Sequence, residues 1–323
     1  MRKLRFLSIV IPCHNEEETL PVSHGRLKDI LGAMVAKQKI ETYELIFVDN
    51  GSTDQTHKVL MKIYKGDPHL KVISLRRDFG YQGSISAGLS YAQGDATVTI
   101  DADLQDPPEK IEEMIAFYAE GYDLVLGVRK DRSVDPFFKR FFTEMYYRLL
   151  GRLGINIVYN HGDFRLMARS LVKEFNKLPE RNRFIRAMIL QLESRYAVVS
   201  YDRVSRKLGE SKFNATSLIS LSLDGITSFS FVPLRIAALL GFLLCLLTLL
   251  GVGWVFYIKV YTNVIPGWAS TLLPIFALNG FQLLVLGLIG EYIGRLYIEV
   301  KQRPLFIVRK EYLHPEERDP EDS

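Results

Sequence analysis

The stretch Val98–Ile111, VTIDADLQDPPEKI, carries an apolar, β-branched run into two carboxylates, Asp101 and Asp103, separated by one alanine, and then into two prolines. Two carboxylates held together repel unless a cation is shared. In an extended strand residues two apart point the same way, so both side chains are expected on one side of a strand end. A hard divalent ion takes one or two carboxylates and completes its shell with phosphate oxygens and water. Asp101 and Asp103 are therefore candidate metal ligands under a bound diphosphate, whereas an isolated Asp-x-Asp is more often a plain turn. Asp106 reads differently: DPPE places it as N-cap, with Pro107 at the first helical position and Glu109 at the third, a helix start and not a catalytic acid.

Two other strand ends carry similar polar groups. IVIPCHNEEETL is expected to close a strand at Pro12 and open a helix at Asn15, with Glu16 to Glu18 in the first turn, where the helix dipole favours acids. LIFVDNGSTDQT closes a strand at Asp49 and Asn50, turns at Gly51 and offers Ser52, Thr53 or Asp54 as a cap. Asp49 and Asn50 are then free to hydrogen-bond a base or ribose beyond the strand ends.

The elements that must position these residues follow from periodicity. Up to about Lys212, short apolar runs (FLSIVIP, YELIFVD, LKVISL, ATVTID, DLVLGV) alternate with amphipathic stretches such as HKVLMKIYK and PEKIEEMIAFYAE. This is the α/β pattern of a mostly parallel sheet with flanking helices. From about Phe231 the composition changes: FVPLRIAALLGFLLCLLTLLGVGWVFYI holds one charge, Arg235, and TLLPIFALNGFQLLVLGLIGEYIG is a second apolar run. Each is long enough to cross about 30 Å of hydrocarbon. The intervening KVYTNVIPGWAS has one Lys, while Arg295, Lys301, Arg303, Arg309 and Lys310 flank the second run, which predicts both termini on the cytoplasmic side of the inner (plasma) membrane. The expected organisation is a cytoplasmic catalytic domain over 1–213, an interfacial helix or linker over 214–230, two transmembrane helices over 231–298 and a cytoplasmic tail over 299–323, ending in the charged HPEERDPEDS. Gly290 and Gly294, with Asn279 and Gln282, suit helix association.

Composition removes several classes. A net charge of +4 over 323 residues is too mild for a nucleic-acid surface and suits an anionic substrate or lipid. Cys13 and Cys245 lie in separate apolar runs, so no shared disulfide is expected. The N-terminal MRKLRFLSIVIPCHNEEE has too short an apolar run for a signal peptide and reads as a first strand. Walker A, Rossmann glycine, H-E-x-x-H and zinc spacings are missing, which speaks against an ATPase, dehydrogenase or metalloprotease.

The ordered set IVIPCHNEE, VDNGSTD, GYQGSISAGL, DADLQDPP, GVR, GDFRLM and RKLGESKF resembles the family 2 glycosyltransferases with the GT-A fold. More narrowly it is similar to the polyprenyl-phosphate glycosyltransferases, the branch of dolichol-phosphate mannose synthase and bactoprenol glucosyltransferase, and the likeness covers essentially the whole chain. The resemblance implies that Pro12, His14, Glu16, Val48 and Asn50 surround the nucleotide base and ribose, with Asp49 beside them, although the family often has Asp where this chain has Asn50. It implies that Asp101 and Asp103 hold metal and diphosphate, with Ala102 and Gln105 lining the pocket. It further implies that Arg129, Arg206 and Lys212 meet phosphates and that Arg140 lies near the acceptor phosphate. The activity implied is transfer of glucose from UDP-glucose to undecaprenyl (polyprenyl) phosphate, with inversion, a Mg²⁺ or Mn²⁺ cofactor, contact with membrane lipid and a homotetrameric assembly. Asp163 keeps several open roles: orienting Arg165 or Arg140, binding a sugar hydroxyl, acting as a base, or forming a structural Asp–Arg pair. Three alternatives stay open as well: another sugar from a UDP- or GDP-donor, a processive polysaccharide synthase, and a non-catalytic nucleotide-binding scaffold. Neither Trp254 nor Trp268 follows an Arg as the Q-x-x-R-W motif of such synthases requires.

Overall fold

The computed structural model describes residues 2–103, 105–130, 158–202, 232–261 and 267–314, with side chains at only some positions of the two long helices in 232–301. The chain divides into two units, Met1–Asn214 with Arg303–Ser323, and Ala215–Gln302.

In the first unit the expected alternation is present. β1 (Phe6–Cys13), β2 (Thr42–Asp49), β3 (Leu70–Leu75), β4 (Ala96–Thr99) and β5 (Leu124–Arg129) alternate with α1 (Leu20–Ala36), α2 (Thr56–Tyr64), α3 (Gly80–Tyr91) and α4 (Ile111–Ala119). β6 (His161–Ala168), α5 (Arg169–Lys177), α6 (Ile185–Leu192) and β7 (Tyr196–Tyr201) follow, and β8 (Val308–Tyr312) comes from the C-terminal segment. Among the described residues these strands form one sheet in the order β7-β5-β6-β4-β1-β2-β3-β8. β1 pairs in parallel with β2 and β4, β2 with β3, and β5 with β7. β6 runs antiparallel to β4 and β5, with Thr99 opposite Arg165 and Val128 opposite His161. The start of β6 therefore lies where β4 and β5 end. Leu7, Ile9, Ile11, Phe47, Val98 and Phe164 are fully buried in a core shared with Leu20, Leu27 and Leu31 of α1.

Several local expectations change. α1 begins at Leu20, with Thr19 as N-cap and no acid in its first turn, and not at Asn15. Asn15 instead adopts the left-handed conformation, φ 54°, and Glu16 closes the turn by accepting the backbone N–H groups of Thr19 and Leu20 on its carbonyl. None of Ser52, Thr53 and Asp54 is the N-cap of α2: that position is Gln55, without a side-chain capping bond, and Asp54, one residue earlier, accepts the Thr56 N–H at 2.9 Å. DPPE does not form the expected capping box: a 3-10 turn over Pro108–Lys110 precedes α4, and no side chain caps it. Gly51 does turn the chain, at φ 64°, where a Cβ would lie 2.3 Å from the Arg77 carbonyl carbon. Both the left-handed backbone and the close approach require glycine.

Residues 308–312, expected within a separate tail, form β8 against the edge of β3, with Val72 opposite Tyr312 and Leu75 opposite Val308. Arg76 N–H extends this pairing to the Ile307 carbonyl at 2.9 Å. Tyr64 stacks on His314 at 4.5 Å and Tyr91 Oη donates to Glu311 at 2.7 Å. The interfacial stretch 214–230 lies outside the described residues.

One buried ion pair joins three strands. Lys71 Nζ of β3 lies 2.6 Å from Glu44 Oε2 of β2, each side chain 3% exposed, and Glu44 Oε1 accepts the Ser8 hydroxyl of β1 and the Gln93 N–H. Removing Glu44 takes the opposing charge from the buried Lys71 ammonium, which keeps the Gln93 oxygen at 3.3 Å, so Glu44→Ala is expected to lower unfolding free energy by about 3–5 kcal/mol, while Glu44→Leu with Lys71→Met recovers most of it. Denaturant titration of the three chains checks this; an undiminished midpoint for Glu44→Ala would show the pair to be dispensable.

In the second unit, α7 (Val232–Tyr261) and α8 (Trp268–Lys301) are 30 and 34 residues long. Among the described residues no helix is long and apolar enough to cross a membrane. Over the full sequence, Ile236–Ile258 and Trp268–Gly290 each run without a charged residue. Phe242, Leu247, Leu250 and Trp254 are each more than 60% exposed.

Candidate active site

The ends of β1 and β2 sit side by side, with Pro12 opposite Val48 and Cys13 opposite Asp49. His14 Nδ1–H donates to the Asn50 carbonyl at 2.9 Å, and Asn50 N–H donates to the Cys13 carbonyl. Glu16 Oε2 accepts the Thr19 hydroxyl at 2.8 Å. Asp49 and Asn50, expected free, are both buried and engaged. Asp49 accepts the Ser52 N–H at 3.0 Å and faces His57 Nδ1 at 3.1 Å. Asn50 donates to Asp78 at 2.7 Å and accepts the Phe79 N–H at 2.9 Å. Turn residues at a buried strand end must satisfy their neighbours' backbone groups first, which ties Asn50 to the loop that starts α3. Val48 is fully buried beneath Gly88 of α3, where an added Cβ would meet its Cγ2 at 3.1 Å, and Ala102 belongs to the core. Neither side chain offers an open contact.

Asp101 and Asp103 lie beyond the last residue of β4, and the second sits in a turn. Strand alternation therefore does not apply to the pair; Asp103 accepts the Gln105 N–H at 3.1 Å across its own turn. Burial, then Asp163 and Asp106, push the Asp101 pKa up to about 7, against the bond from Tyr81, and Asp103 adds to the rise. Tyr81, at the start of α3, donates its hydroxyl to Asp101 Oδ1 at 2.6 Å. Burial and Asp101 raise the pKa of that hydroxyl, which keeps it a donor.

β6 supplies the opposing charge. Phe164 and Leu166 enter the core, so alternation turns His161, Asp163 and Arg165 to the other face. Arg165 Nη2 donates to Asp163 Oδ1, the pairing foreseen as one role of Asp163. A second partner was not foreseen: Arg186 of α6 donates from Nε to Oδ1 at 3.2 Å and from Nη2 to Oδ2 at 2.5 Å. Burial works against the Asp163 charge, yet Arg186 and Arg165 outweigh it and hold the pKa well below the usual carboxylate range.

Arg129 ends β5 and donates to Asp106 Oδ1 at 3.4 Å, an oxygen that also accepts the Tyr201 hydroxyl at 2.7 Å. The side chain of Asp106, read as a cap, is thus taken by two residues of other strands. Burial disfavours the Arg129 charge, but Asp106 and Tyr201 more than compensate and raise its pKa. Cys13 links the two regions, since Asp49, Glu16 and Asp101 all act, after burial, to raise its thiol pKa. Arg140, Arg206 and Lys212 lie outside the described residues.

The donor set fits a divalent cation. Among the described residues no group of three or more His, Cys, Asp or Glu is arranged to hold a metal; Asp101 and Asp103 would supply two carboxylates, and a diphosphate and water would complete the shell of a hard ion. The neighbouring carboxylates that raise the Asp101 pKa create the field that a cation relieves.

Tyr81, Arg186, Tyr201 and His161 escaped the sequence reading. The RNRFIR segment held the one available signal, a basic cluster before an amphipathic helix, and nothing in it specified Asp163 as partner.

Residues 8–175 match the family described as Glycosyl transferase family 2. The chain is 44% identical to "Uncharacterized glycosyltransferase YkcC" of Bacillus subtilis (strain 168), over 94% of each protein. It is 39% identical to "SfII prophage-derived bactoprenol glucosyl transferase" of Shigella flexneri, over 95% of this chain and 98% of that protein. A solved structure of glucosyl-3-phosphoglycerate synthase from Mycobacterium tuberculosis, with Mn²⁺, UDP and phosphoglyceric acid, aligns at 20% identity and a TM-score of 0.47 over 69% of this chain and 76% of that one. The match across half the chain, and relatives of this identity along nearly all of it, make the chain a glycosyltransferase that belongs to family 2.

Proposed function

We propose that the protein transfers glucose from UDP-glucose to undecaprenyl phosphate at the cytoplasmic face of the membrane. The observation that carries this is the 39% identity, along nearly the full length, to a protein named bactoprenol glucosyl transferase. The carboxylate pair beside Arg129, Arg165 and Arg186 supports it, since a sugar nucleotide and a lipid phosphate both bring anionic phosphates. In this reading Asp101 and Asp103 hold Mg²⁺ or Mn²⁺ against the donor diphosphate. Such an ion supplies charge neutralisation for the departing nucleoside diphosphate.

The acceptor phosphate is already anionic near neutral pH, so attack on the anomeric carbon with inversion needs orientation more than a general base. Asp163 suits that economy: clamped by two guanidiniums, it fixes Arg165 and Arg186 and is a poor proton acceptor. Arg129, together with Arg140, Arg206 and Lys212, is assigned to phosphate contact. His14, Glu16 and the Pro12 and Val48 backbone are assigned to the nucleoside, with Asp49, Asn50 and Gln105 shaping the turns around it. α7 and α8 are assigned as two membrane-crossing helices with both termini cytoplasmic, a reading supported by their uncharged runs and exposed apolar side chains. A GT-A arrangement and a homotetramer complete the proposal.

The test is a panel of radiolabelled UDP- and GDP-sugars with undecaprenyl phosphate and Mg²⁺ or Mn²⁺. Label from UDP-glucose is expected to enter the lipid phase. Transfer from GDP-mannose alone would overturn the donor, and transfer from none would overturn the lipid acceptor.

A further inference from the structure

His161 opens β6 opposite Val128 of β5, on the strand face that carries Asp163 and Arg165. It is 1% exposed, and among the described residues neither Nδ1 nor Nε2 has a hydrogen-bond partner. Such an orphaned buried imidazole is uncommon, because the desolvation of each nitrogen is left uncompensated. Nearby, Arg165 Nη1 and Arg129 Nε are also buried without partners among the described residues, so unmatched polar atoms gather at the carboxyl edge where β4 and β5 end. That edge is where open α/β sheets bind ligands.

We propose that His161 hydrogen-bonds a hydroxyl of the donor sugar and thereby helps set which sugar is accepted. This rests on the nucleotide-sugar reading above and extends it to one recognition contact. Burial, Arg165 and Arg186 lower the imidazole pKa, with Arg129 adding to them and Asp163 opposing, so the ring is neutral. A neutral imidazole offers one donor and one acceptor. A phosphate only accepts, and it finds charged donors in the guanidiniums around it. A hydroxyl both donates and accepts, and it matches the ring without adding charge to a site already holding three arginines.

The full-length enzyme is assayed with UDP-glucose and with its 2-, 3-, 4- and 6-deoxy forms, for the native chain, His161→Leu and His161→Asn. For the native enzyme, kcat/KM is expected to fall about 10- to 100-fold with one deoxy donor. His161→Leu should lose a similar factor with UDP-glucose and nothing further with that same deoxy donor. His161→Asn, which keeps a donor and an acceptor, should restore part of the discrimination. Affinity for UDP alone should stay unchanged in both variants, because UDP lacks the sugar. Unaltered discrimination in His161→Leu against every deoxy donor, or a matching loss of UDP affinity, overturns the role. Should His161→Leu fail to fold, the same ratios in His161→Asn decide: discrimination equal to native at every position overturns the contact, and a reduced ratio at one position supports it. If another nucleotide sugar proves to be the donor, its own deoxy forms give the ratio, so an error in the donor and an error in His161 remain distinguishable.

Discussion

Asp101→Asn is expected to lower turnover by about 10²–10³-fold or more while making the protein more stable at pH 8. The two effects share a cause. Burial and the carboxylates of Asp163, Asp106 and Asp103 raise the Asp101 pKa to about 7, well above the ordinary carboxylate value. The folded protein therefore binds a proton at Asp101 between about pH 4 and 7 that the unfolded chain has released. Stability then falls as pH rises through that window, and the charged Asp101 is a net burden above it. An amide removes the burden, with a gain on the order of 2 kcal/mol after solvent screening that disappears by pH 4. Thermal unfolding of the metal-free protein at pH 4 and pH 8 reads this directly; equal melting shifts at both pH values would contradict it. The same carboxylate must be ionised to bind a cation. Mn²⁺ affinity in the presence of UDP is accordingly expected to weaken about tenfold per pH unit below 7, and to lose that dependence in Asp101→Asn. In the proposed function the site keeps a locally unfavourable charge that a cation would relieve, the stability–activity trade expected where function needs strain.

This charge frustration also explains which parts of the site could be read from residues alone. The position of Asp101 beyond an apolar run was legible because a buried parallel strand is short and apolar, and ATVT is all four residues buried. β6 was not legible as a strand. Its eight residues are all buried, yet His161, Asp163 and Arg165 put polar groups on one face of a strand covered on both, and the charges of Asp163 and Arg165 are buried against each other and Arg186. β8 failed for the opposite reason: VRKEY is a charged edge strand, a pattern that protects an exposed edge and looks like a tail. DPPE satisfied a local capping rule, but Asp106 is claimed by Tyr201, 95 residues away. Local rules compete with long-range partners that spacing does not reveal, and Asn50, held by Asp78 and Phe79, fell the same way. The Asp163–Arg165 pair was accessible as one option because the two opposite charges stand two residues apart in the sequence; Arg186 was not, since only the folding of α6 against β6 brings it there.

Asp163→Asn is expected to be costly in two separable ways. Arg165 is fully buried and Arg186 partly so, and Asp163 is the carboxylate that both address. An amide keeps an acceptor but no charge, so Arg165 and Arg186 lose the carboxylate that both address. By the measure of buried pairs broken on one side, stability should fall by about 3–5 kcal/mol. Adding Arg165→Met removes the more deeply buried charge and should recover much of that loss. Turnover should not recover with it, because Arg186 and the lost carboxylate no longer fix the geometry around the phosphates of the proposed substrates; a deficit of about 10²-fold or more is expected to persist. The pH dependence separates this from general-base catalysis. With its pKa held below the ordinary range by Arg186 and Arg165, Asp163 contributes stability that is fully present above the unfolded carboxylate pKa and is lost only as pH falls through the lower folded value. An ionisation of Asp163 is therefore expected to leave the rate near neutrality unchanged. The pH–rate profile of the double variant should keep the native shape at reduced height. If the profile instead loses an acidic limb with the carboxylate, Asp163 acts as a base in the chemical step and the clamp by Arg165 and Arg186 must open before transfer.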